Sequence, residues 1–220
     1  LDTEGISYLI KYSKDKNSIA KMIVKAMGDK VADVIYNILI DLPEKDDTIE
    51  MIIKEMGGKL DYDSLFDLIY YSKNPHKTVR LIGVDKVKKY INTLYPYQIG
   101  YLIQDASNPD AVADIIIDFA EDKLSQDAIY YIMLYCVDKD AIAEKIIKTK
   151  GPEMVYDKMY SIMSHLKNPV YIGKLIGMDN VREYLNSLGY NGFKHLLDIS
   201  PNKDGIIELF KEAGVEIPTK

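Results

Sequence analysis

Apolar residues recur along this chain at helical intervals. Ile49, Ile52, Ile53 and Met56 fall at i, i+3, i+4 and i+7, and Ile19, Met22, Ile23 and Met27 nearly repeat that spacing. Ile206, Ile207, Leu209, Phe210 and Ala213 form another short apolar face. No sustained polar/apolar alternation competes with these patterns. Ile115-Ile116-Ile117 is β-branched, but Asp114 and Asp118 bracket it at helical spacing, so it also reads as helix. Turn signals interrupt the pattern at Ser13–Lys16, Pro43, Ser72–Pro75, Ser107–Pro109, Asp138–Asp140, Lys167–Pro169 and Ser200–Asn202. Second breaks lie between them, at Gly28-Asp29, Gly57-Gly58, Gly83–Asp85, Glu121-Asp122, Lys150–Pro152 and Gly177–Asp179. The pattern therefore predicts helices over 4–12, 17–27, 30–42, 46–56, 61–72, 75–82, 85–94, 97–106, 109–119, 123–136, 139–149, 152–166, 169–176, 179–188, 191–199 and 204–213. Helices this short are marginal alone in water, so each must bury its apolar stripe on a neighbour.

The stretch KNPHKTVRLIGVDKVKKYINTL at Lys73–Leu94 recurs without a gap at Lys167–Leu188 as KNPVYIGKLIGMDNVREYLNSL, with eleven of 22 positions identical. The shared residues have structural uses. Asn-Pro starts a helix, Leu-Ile-Gly ends one, and the Asp before an apolar run reads as a cap. At the same offset of 94, Tyr36 aligns with Tyr130, Ile38 with Ile132, Asn108 with Asn202 and Asp110 with Asp204. The expected fold is all-α: an array of short antiparallel helices in a right-handed superhelix or solenoid. Pseudo-repeats of about 31 residues are nested in an internal duplication of 94. The copies run approximately over 9–101 and 102–195, with a partial third at 196–220. No Gly/Ser/Pro-rich linker occurs near Ser107-Asn108-Pro109, which favours one elongated domain over 1–220 rather than two separate ones.

The rhythm of Leu68-Ile69, Asn74-Pro75, Val79, Arg80, Leu81-Ile82-Gly83 and Val87, followed by Leu102-Ile103, Asn108-Pro109, Val112 and Ile116, resembles short HEAT-like helical repeats. That resemblance implies a scaffold that binds protein or peptide on a curved face. Leu81–Lys86 also looks faintly like a helix-hairpin-helix. Asp85, and Asp179 in the second copy, stand where that motif has the glycine that faces a DNA phosphate, and a carboxylate there repels it.

Composition narrows the chemistry. The formal net charge of -6 weighs against a general nucleic-acid coat. The single cysteine, Cys136, excludes an intramolecular disulfide and a cysteine-based zinc site, and its apolar run reads as core. No apolar stretch approaches a membrane span, and Leu1–Gly5 does not open a signal peptide, so a cytoplasmic or other intracellular location is expected. His76 reads as a solvated turn residue, His165 as a cap of helix carbonyls, and His195 as partly buried. None begins a metal-binding spacing, and no phosphate-cradling glycine motif or nucleophile elbow occurs, so neither metal nor cofactor is expected. Asp46-Asp47, Asp61/Asp63 and Asp114/Asp118 are local carboxylate pairs. Asp46-Asp47, Asp85, Asp122 and Asp179 fit helix starts, where free N–H groups accept their charge.

Tyrosine is the feature that points to function. There are 18, against four Phe and no Trp. Phe serves a dry core equally well, whereas Tyr suits half-covered surfaces whose hydroxyl meets polar partners. Clusters occur at Tyr70-Tyr71, Tyr90/Tyr95/Tyr97/Tyr101, Tyr130-Tyr131/Tyr135, Tyr156/Tyr160 and Tyr184/Tyr190. The preferred reading is a non-catalytic scaffold that binds a protein or peptide partner through Tyr70, Tyr71, Tyr97, Tyr101, Tyr130 and Tyr131. Lys86, Lys88, Lys89 and Arg182 are candidate contacts to phosphate or an acidic partner. One alternative is nucleic-acid binding through those lysines and the turn lysines Lys14, Lys16 and Lys73. Another is a helical enzyme with a cleft between the copies.

Overall fold

The structure, a computed structural model, describes residues 2–121, 124–153 and 157–218. Among the described residues the chain is all-α, with no strand. Its helices are α1 Thr3–Tyr12, α2 Lys16–Met27, α3 Ile35–Leu39, α4 Asp46–Met56, α5 Tyr62–Tyr71, α6 Pro75–Ile82, α7 Val84–Ile91 and α8 Pro96–Gln104. They continue as α9 Pro109–Phe119, α10 Gln126–Tyr135, α11 Lys139–Lys150, α12 Met159–Met163, α13 Pro169–Ile176, α14 Met178–Ser187, α15 Gly189–Ile199 and α16 Lys203–Glu212. Short 3-10 turns cover Gly28–Val34 and Gly57–Lys59.

Contacts group the chain into two compact units, 1–94 with 101–115, and 95–100 with 116–220. In the first, α1 packs on α3 and α3 on α5, while α2 packs on α4 and α4 on α6. Alternate helices therefore lie side by side, and each buries its stripe on neighbours in both rows. In the second, α10 packs on α12, and α11 on α13, which in turn packs on α16. The buried side chains are those of the periodic apolar positions, including Ile49, Ile52 and Ile53 on α4 and Ile146 and Ile147 on α11.

Each short helix needs its exposed N–H groups satisfied, and at several turns a side chain does this. Asp15 accepts from Ser18 N at 3.0 Å, Asp61 from Ser64 N at 2.8 Å, Ser125 from Ala128 N at 3.2 Å and Asn202 from Gly205 N at 2.8 Å. A cap of this kind contributes about 1 kcal/mol. Leu-Ile-Gly ends α6 and α13 as its sequence predicts. Gly83 (φ 107°, ψ 122°) and Gly177 (φ 98°, ψ 123°) take nearly the same left-handed-side conformation, which a side chain would strain.

Polar side chains also tie each turn to the next. In the first unit Asp46 Oδ1 accepts from Lys73 N at 2.9 Å, and Asn108 Nδ2 donates to Lys73 O at 3.1 Å. In the second, Asp140 Oδ1 accepts from Lys167 N at 3.0 Å, and Asn202 Nδ2 donates to Lys167 O at 2.6 Å. Asp46 was expected to serve its own helix start. It does lie in the first turn of α4, and its carboxylate also reaches the neighbouring turn, where Lys73 N donates to it.

Two helix boundaries depart from expectation. The helix expected over 30–42 is a 3-10 turn followed by the short α3. The three-residue rise of the turn sets Val31 and Val34 on one side, and both are buried, with the turn packed on α4. Of the helix expected over 152–166, the described part contains α12, which starts after Lys158 at φ -114°, ψ 5°. Asp122, expected at a helix start, and Tyr156, expected in an aromatic cluster, lie outside the described residues.

Replacing Asp46 by Ala removes the acceptor for Lys73 N and for Ser72 Oγ at 3.3 Å, and is expected to cost about 1–2 kcal/mol in urea unfolding. Asp47→Ala, which removes only an exposed pairing with Lys21, is expected to cost clearly less. Equal losses would show that the turn-to-turn bond carries no weight.

Candidate functional site: a tyrosine-lined groove

In the first unit α3, α5 and the end of α8 surround a cavity of about 550 Å³. Helix α5 builds its floor. Leu65, Leu68 and Ile69 are buried in the core, which turns Phe66, Asp67, Tyr70 and Tyr71 toward the groove. Phe66 and Tyr70, one helical turn apart, stack with centroids 5.5 Å apart and planes at 18°. Tyr70 meets Tyr71 edge-on at 4.8 Å, and Tyr71 lies 6.2 Å from the ring of Tyr36 on α3. Tyr101 and Gln104 on α8, with Ile40, Lys45, Asp105 and Ser107, complete the lining. Tyr71 is buried, Tyr70 half-buried, and Tyr36 and Tyr101 are exposed by 51 % and 62 %. The groove thus grades from covered rings to open ones.

Its wall is fixed by hydrogen bonds at the end of α5, where helix carbonyls lack intrahelical partners. Ser107 N donates to Tyr70 O at 2.9 Å, and Ser107 Oγ to Tyr71 O at 3.0 Å. Lys45 donates to Leu42 O at 2.5 Å and holds its ammonium 5.5 Å from the Tyr71 ring centroid.

Two carboxylates face this groove. Asp67 is half-buried, and its carboxyl is raised to about 6, mainly by burial and then by the nearby charges of Asp63 and Asp61. A hydrogen bond from the Tyr36 backbone works weakly the other way. Burial raises the Tyr70 hydroxyl, helped by the charge of Asp105. It also raises the Tyr71 hydroxyl, so both rings stay neutral donors near neutral pH.

Of the tyrosines singled out from sequence, Tyr70, Tyr71 and Tyr101 are brought together here. Tyr97, Tyr130 and Tyr131 belong to the second unit. There Tyr97 stacks on Tyr95 at 5.9 Å, Tyr130 meets Tyr131 edge-on at 5.7 Å, and Tyr131 stacks on Tyr135 at 6.3 Å. Tyr130 also meets the His165 ring edge-on at 5.7 Å, and Tyr160 lies 5.8 Å from His195. Sequence reading missed Tyr36, Phe66, Asp67 and Asp105 as groove residues. The i, i+1, i+4, i+5 spacing of Phe66, Asp67, Tyr70 and Tyr71 was a usable signal for a second, non-core face.

The basic candidates fall in different units. Lys86, Lys88 and Lys89 share α7 in the first unit, whereas Arg182 is on α14 in the second. Lys86 donates to Gly58 O at 3.0 Å, and Lys89 is exposed. Arg182 donates through Nε to Ala213 O at 2.7 Å and pairs with Asp179 at 2.9 Å.

The histidines differ in part from expectation. His76 was expected to be solvated, but its Nε2 lies 3.2 Å from Asp114 Oδ2, because the first turn of α6 faces α9. His165 is placed as expected: its Nδ1 lies 2.9 Å from Ser161 O, and burial lowers its basicity. His195 is exposed rather than partly buried, because Leu196 occupies the inward position on α15. Cys136 is buried, as its apolar run implied. No group of three or more His, Cys, Asp or Glu among the described residues could hold a metal ion. No helix among them is long and apolar enough to cross a membrane. Comparisons of the chain with protein-family models, curated proteins and solved structures find no match.

Because the Asp67 carboxyl is raised from 3.8 to about 6, its ionisation is harder in the folded than in the unfolded chain. The resulting destabilisation is fully present above pH 6 and is relieved as pH falls through 6 toward 3.8. Asp67→Asn is therefore expected to be more stable than the parent at pH 7.5 by about 1 kcal/mol, allowing for solvent screening at a half-buried site. Urea unfolding at pH 7.5 and 4.5 checks this. The advantage should shrink at the lower pH, and a gap independent of pH would refute the assignment.

Proposed function

We propose that this chain is a non-catalytic helical-repeat scaffold that binds a protein or peptide partner in the Tyr36/Phe66/Tyr70/Tyr71/Tyr101 groove. One observation carries the reading. Five aromatic rings from three separate helices converge on one open concavity and leave two rings largely exposed. Exposed aromatic rings in a concavity are the usual anchors of a protein interface, because they lose little conformational freedom and bury much area on binding.

The repeat architecture is supported by matched interactions at the 94-residue offset. Asp46–Lys73 corresponds to Asp140–Lys167, and Asn108–Lys73 to Asn202–Lys167. Lys45–Leu42 corresponds to Lys139–Cys136, and the Tyr36–Tyr71 ring contact to Tyr130–His165. Glu50 pairs with Lys77, and Glu144 accepts from Tyr171 at 3.0 Å, again at matched positions. Inheritance of one helix package in two copies accounts for all of these together. The lysine cluster supports nucleic-acid binding less well, because Lys86 and Arg182 already hold backbone carbonyls.

The test is selection of a random dodecapeptide display library on the full chain, followed by affinity measurement of synthetic peptides. Tyr70→Ala and Tyr101→Ala are each expected to weaken the selected peptides at least about tenfold while leaving far-UV helicity intact. Peptides whose affinity ignores both substitutions would overturn the groove as the binding face.

A further inference from the structure

We infer that the groove recognises a cation: the side-chain ammonium or guanidinium of a lysine or arginine in a basic peptide segment, seated on the tyrosine faces and countered by Asp67 and Asp105. The inference rests on the groove's being the partner site. Its substance is charge complementarity inside an aromatic wall. Aromatic faces present negative potential to a cation, and the attraction strengthens as water is displaced. The groove already demonstrates this chemistry at its edge, where the Lys45 ammonium lies 5.5 Å from the Tyr71 centroid.

Lys45 does not neutralise the two carboxylates. Its own nearest acidic charges are Asp41 and Glu44, and it is anchored on Leu42 O. Asp67 and Asp105 form no ion pair among the described residues. The neighbours acting on Asp67 are themselves acidic, Asp63 and Asp61 on its own helix, while α3 contributes only the Tyr36 backbone. Lys45 supplies one positive charge in the groove's lining against two carboxylates, so the groove keeps a net negative charge. A half-buried carboxylate in that position carries a burial cost that the Tyr36 backbone hydrogen bond offsets only in part, and a bound cation would offset more of it.

The second unit offers an internal comparison. At the 94-residue offset part of the aromatic frame is kept, with Tyr130 for Tyr36, Tyr160 for Phe66 and Lys139 for Lys45, whereas Ser164 replaces Tyr70. Both carboxylates are absent, with Ser161 in place of Asp67 and Ile199 in place of Asp105. Tyr71 and Tyr101 become His165 and His195. The second unit thus lacks both the acidic pair and the Tyr70 ring, so the acidic tyrosine groove is peculiar to the first unit.

The experiment uses peptides selected from the dodecapeptide library on the full chain. In each, every lysine or arginine is replaced in turn by norleucine, which keeps the aliphatic stem and removes the charge, and affinity is read by isothermal titration calorimetry. One replacement is expected to weaken binding at least about tenfold, and Asp67→Asn and Asp105→Asn to weaken the parent peptide about three- to tenfold each. Asp67→Asn is expected to fold at least as stably as the parent, so its loss of affinity cannot be put down to unfolding. If norleucine peptides bind as tightly while Tyr70→Ala and Tyr101→Ala still abolish binding, the groove remains the site and the cation inference fails. If no selected peptide depends on either tyrosine, both fail.

Discussion

Helices of about ten residues leave a large share of their backbone groups outside the intrahelical ladder, and water alone does not hold such segments in register. Every feature of this chain answers that constraint. Caps such as Asp15, Asp61 and Asn202 satisfy the N–H groups of their own helices. Carbonyl ends are reached from elsewhere: Lys139 donates to Met133 O, Leu134 O and Cys136 O at 2.6, 2.8 and 3.0 Å, covering the end of α10. Asp46 and Asp140 then bind the backbone of the next Asn-Pro turn. The apolar stripes set which helices meet, and these polar contacts set the register in which they meet.

The groove is a by-product of the same economy. Ser107 closes the end of α5 by bonding Tyr70 O and Tyr71 O, and in doing so it brings the segment after α8 against the tyrosine pair. Tyr71 is buried, but the rings of Tyr70 and Tyr101 are not placed by packing against a dry core, since Tyr70 is half-buried and Tyr101 mostly exposed. Their backbone is held by hydrogen bonds that do not involve the hydroxyls. The rings can therefore be truncated without undoing the frame, which makes a binding role separable from a structural one.

Sequence alone made the helical class legible, because the i, i+3, i+4 spacing of residues such as Ile49, Ile52 and Ile53 has one structural meaning and those residues are buried. The Asn-Pro starts and Leu-Ile-Gly ends were legible for the same reason, each being a local backbone requirement. Gly28–Val34 was not. Its β-branched residues satisfy helical periodicity, and only their packing on α4 selects the tighter turn. The role of Asp46 was also hidden. A helix-start Asp and a turn-bridging Asp are the same letter in the same place, and the distinction depends on where Lys73 N lies. The match of Lys45-Asp46 with Lys139-Asp140 at the 94-residue offset was nevertheless present, and extending the repeat that far would have singled out both residues. Half of the groove was visible as paired tyrosines. Tyr36, Asp67 and Asp105 enter it only through the juxtaposition of α3, α5 and the segment after α8, which no local pattern encodes.

The contrast between matched positions separates frame from function more sharply than exposure does. Tyr36 and Tyr130 both contact the ring that follows them in space, Tyr71 in one unit and His165 in the other. His165 is held neutral by burial while its Nδ1 lies against Ser161 O, so it fills the position as a polar ring. An aromatic ring is therefore tolerated in either chemical form at this point of the helix package. A carboxylate is a different matter. Ser161 stands in the sequence where Asp67 lies under a burial cost, on the five-residue α12 rather than the ten-residue α5. Within the fold the Tyr36 backbone offsets part of that cost by hydrogen-bonding the Asp67 carboxylate. A ring-lined acidic concavity favours an occupant that is both cationic and able to lie along an aromatic face.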